Sequence, residues 1–196
     1  MLKYKVDWLA FSVSFEDEKQ TLDPEILKLL GYDLVNFEEI PGRFFYNSGM
    51  TYCNYVNVFW NDPNKHRHKN SSQTMTVIFT GQGSTELAEK WNTNWFKIFS
   101  LLKEYGGINF TRIDLALDDY DESVKFADIE KKLNKGHYRS SRKSYNIVKT
   151  SDTEGRTLGE TIYIGNARSN NGSRGNVYAR FYDKKAQYEG KNELFP

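Results

Sequence analysis

Short runs of alternating apolar and polar residues, rich in β-branched and aromatic side chains, recur along almost the whole chain. Successive side chains of a strand point to opposite faces, so each run covers one side of a sheet and wets the other. Residues 6–15 (VDWLAFSVSF), 74–80 (TMTVIFT) and 110–117 (FTRIDLAL) predict strands of this kind. Residues 43–60 hold two aromatic runs around Gly49, which predicts a hairpin. Helical signals fall between the strands. Asp23 is placed to cap a short helix that has Pro24 at its first position and Gly31 as its stop. Ser84 is expected to cap a helix running to about residue 104, with Trp91, Trp95, Ile98, Phe99 and Leu102 facing the core. In the second half, residues 127–134 predict a short helix stopped by Gly136. Strands are expected at 144–150, 161–165 and 176–184, then a helix near Lys185. Residues 169–175 (SNNGSRG) predict a flexible loop.

Both halves therefore read strand, helix, two or three strands, helix. The expectation is an α+β fold with a curved antiparallel sheet, helices on one face, and an internal duplication of a β-α-β-β-β-α unit. The halves are set at 1–106 and 107–196, the second carrying the chemistry.

Composition narrows the class. Apolar residues make up 38% and aromatics 15% of 196 residues, enough for a core and against disorder. No run approaches the roughly 20 apolar residues that span a bilayer, and the first residues read as a strand rather than a secretion signal. The single cysteine, Cys53, cannot close an internal disulfide and is expected to be a small buried apolar residue, which fits a cytoplasmic protein. The net charge is only +1, yet residues 131–185 hold 13 Lys/Arg against 4 Asp/Glu. Such a segment is either a phosphate-binding footprint or a solvated basic surface.

Chemistry concentrates on two strands. In 112–118, Ile113, Leu115 and Leu117 share the face expected to be core, while Arg112, Asp114, Ala116 and Asp118 share the other. Carboxylates on one sheet face can hold a hard divalent cation; the alternative is an acidic turn at the strand end with Asp114 paired to an arginine. In 177–184, Tyr178, Arg180, Tyr182 and Lys184 share a face. If the two strands exposed that face in one sheet, a tyrosine, cations and carboxylates would converge as a phosphoryl-transfer centre. The alternative for Tyr182 is an ordinary strand tyrosine, one of 13 in the chain. His66-Arg67-His68 imitates a metal-binding pair, but its central arginine and flanking lysines read as a solvated basic loop.

These residues form a recognisable set. Arg112–Asp119 (RIDLALDD) resembles the R-[IL]-D-x-A-x-D-D segment of the rolling-circle replication initiators of Gram-positive plasmids, shared with relaxases of integrative elements and phage-type initiation factors. Gly159–Gly165 (GETIYIG) resembles that family's G-x-T-[IV]-Y-x-G strand, and 180–184 (RFYDK) its R-x-Y-[DN]-K segment. Thr80-Gly81-Gln82-Gly83 with Trp91 resembles its S-G-Q-G turn and following helix. The resemblance implies nicking and rejoining of one DNA strand through a tyrosine that keeps the 5′ phosphate, with Mg2+ or Mn2+. It also implies a dimer and a host helicase as partner. It carries the nucleophile to Tyr182, with Tyr178 as competitor. Asp114, Asp118, Asp119 and Glu160 become metal candidates. Arg112, Arg180 and Lys184 would steady the phosphate. Arg139, Arg142, Lys143, Arg168 and Arg174 would contact the DNA backbone. Family members are expected to continue past Pro196 with a strand carrying arginine and glutamate, and some have an N-terminal helix-turn-helix. The chain is therefore expected to be a fragment or truncated product, with a non-catalytic DNA-binding remnant as the second reading. A structural protein of a mobile element is the third.

Overall fold

A computed structural model describes residues 2–16, 21–65, 73–137, 144–165 and 179–189. The chain divides into two compact units at Asp118/Asp119. Residues 108–118, assigned from sequence to the second half, thus close the first unit.

The first unit is a six-stranded sheet in the order β2-β3-β4-β5-β1-β6. Its strands are β1 (Leu2–Ser14), β2 (Glu38–Pro41), β3 (Ser48–Tyr52), β4 (Val56–Trp60), β5 (Thr74–Phe79) and β6 (Ile108–Asp119). The strand pairs from β2 through β5 to β1 are antiparallel. At the β1–β6 junction the Ser14 N–H donates to the Gly107 carbonyl at 2.9 Å. Three helices, α1 (Pro24–Leu29), α2 (Gly81–Lys90) and α3 (Trp95–Tyr105), supply Ile26, Leu27, Leu87, Ile98 and Leu102 to one core. The sheet meets them with Leu9, Phe11, Val13, Val58, Val77 and Phe79, alternate residues of their strands. The intervening residues Ala10, Phe59 and Ile78 cluster on the opposite face with Tyr46, Trp8 and Ile40.

The second unit is a three-stranded antiparallel sheet, β7-β8-β9, with β7 at Tyr145–Ser151, β8 at Thr157–Ile164 and β9 at Ala179–Tyr182. Helix α4 (Phe126–Asn134) packs Phe126, Ile129 and Leu133 on Ile147, Ile162 and Ile164. Helix α5 (Lys184–Glu189) follows β9 after one residue. The α+β class and the antiparallel sheet agree with the sequence.

Capping at α1 is as expected. The Asp23 side chain accepts from the Glu25 N–H at 3.0 Å, and its second oxygen accepts from the Tyr105 hydroxyl at 2.5 Å. The Asp23–Tyr105 bond ties α1 to α3 and, with burial, pushes the Tyr105 hydroxyl well above its ordinary pKa, burial being the larger cause. Asp23→Ala is expected to destabilise the chain by about 2 kcal/mol, a lost cap plus a stranded hydroxyl. Asp23→Asn should recover part of that loss. Urea denaturation checks both.

Five expectations need correction. The helix from Ser84 is two helices: Asn92 and Thr93 take positive φ (51° and 60°), and Asn94 starts α3 by accepting from the Lys97 N–H at 3.0 Å. Ser84 is buried inside α2 rather than capping it. Gly81-Gln82-Gly83 form its first turn, where a Cβ on Gly83 would stand 2.5 Å from the Tyr55 carbonyl oxygen. Gly49 is not a turn but lies within β3, bare because the Phe59 ring crosses it 2.8 Å from where a Cβ would be. The turn lies at Cys53-Asn54, both at positive φ, so Cys53 is exposed at a hairpin tip rather than buried. Finally, Leu115 and Leu117 on β6 are 80% and 62% exposed, and Ile113 is exposed as well, so this face is not core.

Candidate strand-nicking site

In the first unit, β6 presents the residues of the acidic motif. The Arg112 guanidinium forks onto both oxygens of Asp114, with Nε to Oδ1 at 2.9 Å. It also lies over the Trp8 ring at 4.4 Å from the centroid. The fork and the stack orient a planar cation on the face opposite the helices, an arrangement suited to phosphate oxygens that lysine could not reproduce. Asp114 is therefore paired to an arginine, one of the two alternatives that its sequence context left open. Asp118 lies four residues further along the strand, about 13 Å away at ~3.3 Å per residue. One ion bound at about 2 Å from each ligand cannot take both through a straight strand.

In the second unit, the residue before α5 builds the site. Asp183 Oδ1 accepts from the Ala186 N–H at 2.9 Å, and the Asp183 N–H donates to the Glu160 carbonyl at 3.1 Å. That cap ends β9 at Tyr182 and starts the helix at Lys184. Tyr182 pairs with Thr161 and Phe181 with Ile162. Ile162 packs against α4, so by alternation Tyr182, Arg180, Thr161 and Tyr163 share the face away from α4. The Arg180 guanidinium lies 4.5 Å from the centroid of the half-buried Tyr182 ring. A cation beside a tyrosine can meet a phosphate as it approaches the hydroxyl.

The same alternation separates Glu160 from Tyr182. Glu160 pairs with Lys149 and shares the α4 side of the sheet with Ile162. Lys149 Nζ donates to Glu130 Oε2 at 2.7 Å and stands 3.6 Å from Glu160 Oε1, an ion pair too long for a hydrogen bond. The bond to Glu130, aided by the charge of Glu160, holds Lys149 above the ordinary lysine pKa. Glu160 thus faces a lysine on the side of the sheet away from the tyrosine. The Asp119 carboxylate accepts from the Ser123 hydroxyl at 3.1 Å and the Val124 N–H at 2.8 Å, which turns it into a loop anchor. Among the described residues no three His, Cys, Asp or Glu side chains come together as a metal set.

The condition under which the two chemical strands would converge, a shared sheet, is not met among the described residues. β6 belongs to the six-stranded sheet and β9 to the three-stranded one. The physical reason is pairing: β6 joins β1, while β9 joins β8. Tyr178, Arg139, Arg142, Lys143, Arg168, Arg174 and the His66–His68 loop lie outside the described residues.

Residues 108–195 match the replication initiation factor family. The matched segment contains β6, Tyr182 and all three motifs of the second half. The chain is also 29% identical over 193 residues to the putative DNA relaxase NicK of Bacillus subtilis (strain 168), covering 96% of this chain and 50% of that protein. It therefore spans about half the length of this curated relative. Its fold matches a rolling circle replication initiator protein from Geobacillus stearothermophilus with a TM-score of 0.67 at 23% identity, over 98% of this chain and 80% of that one. The expected resemblance to replication initiation factors and a relaxase is borne out, and so is the fold, which is that of a rolling circle replication initiator. No helix among the described residues is long and apolar enough to cross a membrane.

Proposed function

We propose that this chain nicks and rejoins one DNA strand at a replication or transfer origin, with Tyr182 as nucleophile. The observation that carries the reading is Tyr182 itself. It ends β9 under an Asp183 cap, beside Arg180, inside the segment that matches replication initiation factors. The tyrosine oxygen attacks the phosphodiester, a Tyr–O–P bond forms, and the bond to the departing 3′ oxygen breaks. That oxygen leaves as a hydroxyl, and its return reverses the step and rejoins the strand. Arg180 and Lys184 would neutralise charge on that phosphate, and Arg112, in the first unit, would hold a phosphate of the bound DNA. The basic residues Arg139, Arg142, Lys143, Arg168 and Arg174 are proposed to hold the DNA backbone.

A requirement for Mg2+ or Mn2+, a second copy of the chain and a host helicase belong to the proposal through the resemblance. Asp114 and Asp119 are engaged by protein groups, Glu160 faces Lys149, and no set of three ligands comes together among the described residues. No step is therefore routed through a metal. A cytoplasmic site of action follows from the DNA substrate.

The test is incubation with Mn2+ and a supercoiled plasmid bearing the DNA around the chain's own gene. Relaxed product and protein-linked 5′ ends are expected. Salt-sensitive DNA binding with neither product would overturn the enzyme reading and favour a non-catalytic DNA-binding module. Salt-insensitive or absent binding would leave a structural role. Arg112→Lys keeps the charge but loses the fork and the stack. It is expected to slow nicking by roughly tenfold to a hundredfold in a plasmid relaxation time course. Stability in urea should change by less than about 1 kcal/mol, because the pair is partly exposed.

A further inference from the structure

Arg43, Phe44, Phe45 and Tyr46 form a tight turn that closes with the Tyr46 N–H donating to the Arg43 carbonyl at 3.0 Å. Its central residues both have positive φ, 56° at Phe44 and 72° at Phe45. Turns of this shape select glycine, asparagine or aspartate at those positions, because a side chain there strains the backbone. Here both positions hold phenylalanine, and the rings are 57% and 68% exposed. Turn preference does not call for that choice at either position, and backbone strain of this kind gathers where function holds it.

The surroundings are built to keep the turn in place. The buried Tyr46 anchors it to β5 through its hydroxyl, 2.6 Å from Thr74 Oγ1 and 2.9 Å from Thr76 Oγ1. Phe44 meets Phe59 edge-on at 5.6 Å. The Asn47 amide donates to the carbonyls of Asp62 at 3.0 Å and Lys65 at 3.3 Å. Exposed Arg43 therefore precedes the aromatic pair, and exposed Lys65 lies beside the turn. Phe59 and Tyr46 belong to the cluster that also includes Trp8, over which Arg112 stacks. The turn and the motif arginine thus border one sheet face, the one opposite the helices.

We infer that Phe44 and Phe45 form a rigid stacking platform for the unpaired bases of a DNA single strand, with Arg43 and Lys65 taking its phosphates. Exposed aromatics flanked by cations are the physical signature of single-strand binding, since every base offers a π-face and every link a negative charge. A pre-strained turn loses little entropy when a base lands on it. The inference rests on the DNA reading above and extends it: the strand being processed is gripped in the first unit, on the face that bears Arg112.

The test uses the full chain, a fluorescent 20-nucleotide deoxythymidine oligonucleotide and an abasic oligonucleotide of equal length, with binding read by anisotropy across a salt series. Two variants are compared with the unaltered chain: Phe45→Ala, and the double change Phe44→Asn with Phe45→Gly, which installs residues that the turn prefers. The double variant is expected to melt no lower than the parent. It should bind the thymidine strand on the order of tenfold to a hundredfold more weakly, the scale of one or two lost stacks. Phe45→Ala should show a smaller loss in the same direction. Binding of the abasic strand and the salt slope should stay unchanged, because stacking releases no counterions. Equal affinity of both variants and the parent for the thymidine strand would overturn the inference, as would an equal loss on the abasic strand. A parent chain that binds neither strand would overturn the DNA reading as well.

Discussion

Tyr182→Phe is expected to abolish plasmid relaxation, lowering it by about a thousandfold or more, as loss of a nucleophile does elsewhere. DNA affinity should stay within about twofold, since the binding cations are untouched. The substitution removes one oxygen and leaves the ring, so the Arg180 contact at 4.5 Å and the β8–β9 pairing survive. The two readouts separate chemistry from binding. A variant that loses both has lost its fold, which its melting curve would reveal. A variant that keeps relaxing plasmid would move the nucleophile to another tyrosine, Tyr178 first.

Phe79→Ala should produce the largest loss of stability, about 3 to 5 kcal/mol. Phe79 is fully buried at the end of β5, with ring contacts to Phe11 at 6.5 Å and Tyr32 at 5.6 Å. It sits where β1, β4 and β5 pair, opposite both Leu9 and Val56, so neighbouring strands cannot collapse into the space without breaking ladders. Against a usual margin of 5 to 15 kcal/mol, that loss leaves the first unit barely folded at 37 °C. Leu115→Ala is the control. Leu115 is 80% exposed, and its removal should shift the urea midpoint by less than about 0.5 kcal/mol. A Phe79→Ala chain as stable as its parent would mean that the core lies elsewhere.

The legible parts of the fold are those set by local chemistry. Asp23-Pro24 announces a helix start whatever surrounds it, and the alternation in 110–117 announces a strand. Where a distant partner decides, the sequence misleads. Gly49 resembles a turn residue, but the Phe59 ring from the neighbouring strand explains it. Phe44-Phe45 turn the chain without glycine, asparagine or aspartate, so turn chemistry does not flag them, and Asn54 is a weaker signal than nearby Gly49. For the site, motif order led to Arg112, Tyr182 and the family match, and the structure keeps Arg180 beside Tyr182. The side of the sheet that Glu160 takes is not legible in the sequence, because spacing along the chain says nothing of register. Only the pairing of Thr161 with Tyr182 puts Glu160 on the other side of the sheet. The partners of β6 and β9 were equally beyond reach, since a strand's pattern names its faces and not its neighbours.

The central claim, that Tyr182 becomes joined to a DNA 5′ end, is tested most directly by mapping the adduct. The full chain is incubated with Mn2+ and origin DNA, the covalent product is digested with protease and nuclease, and the modified peptide is sequenced by mass spectrometry. A nucleotide is expected on Tyr182, in the peptide containing Arg180-Phe181-Tyr182-Asp183. A nucleotide on another tyrosine, or an adduct that forms equally well with Tyr182→Phe, would contradict it.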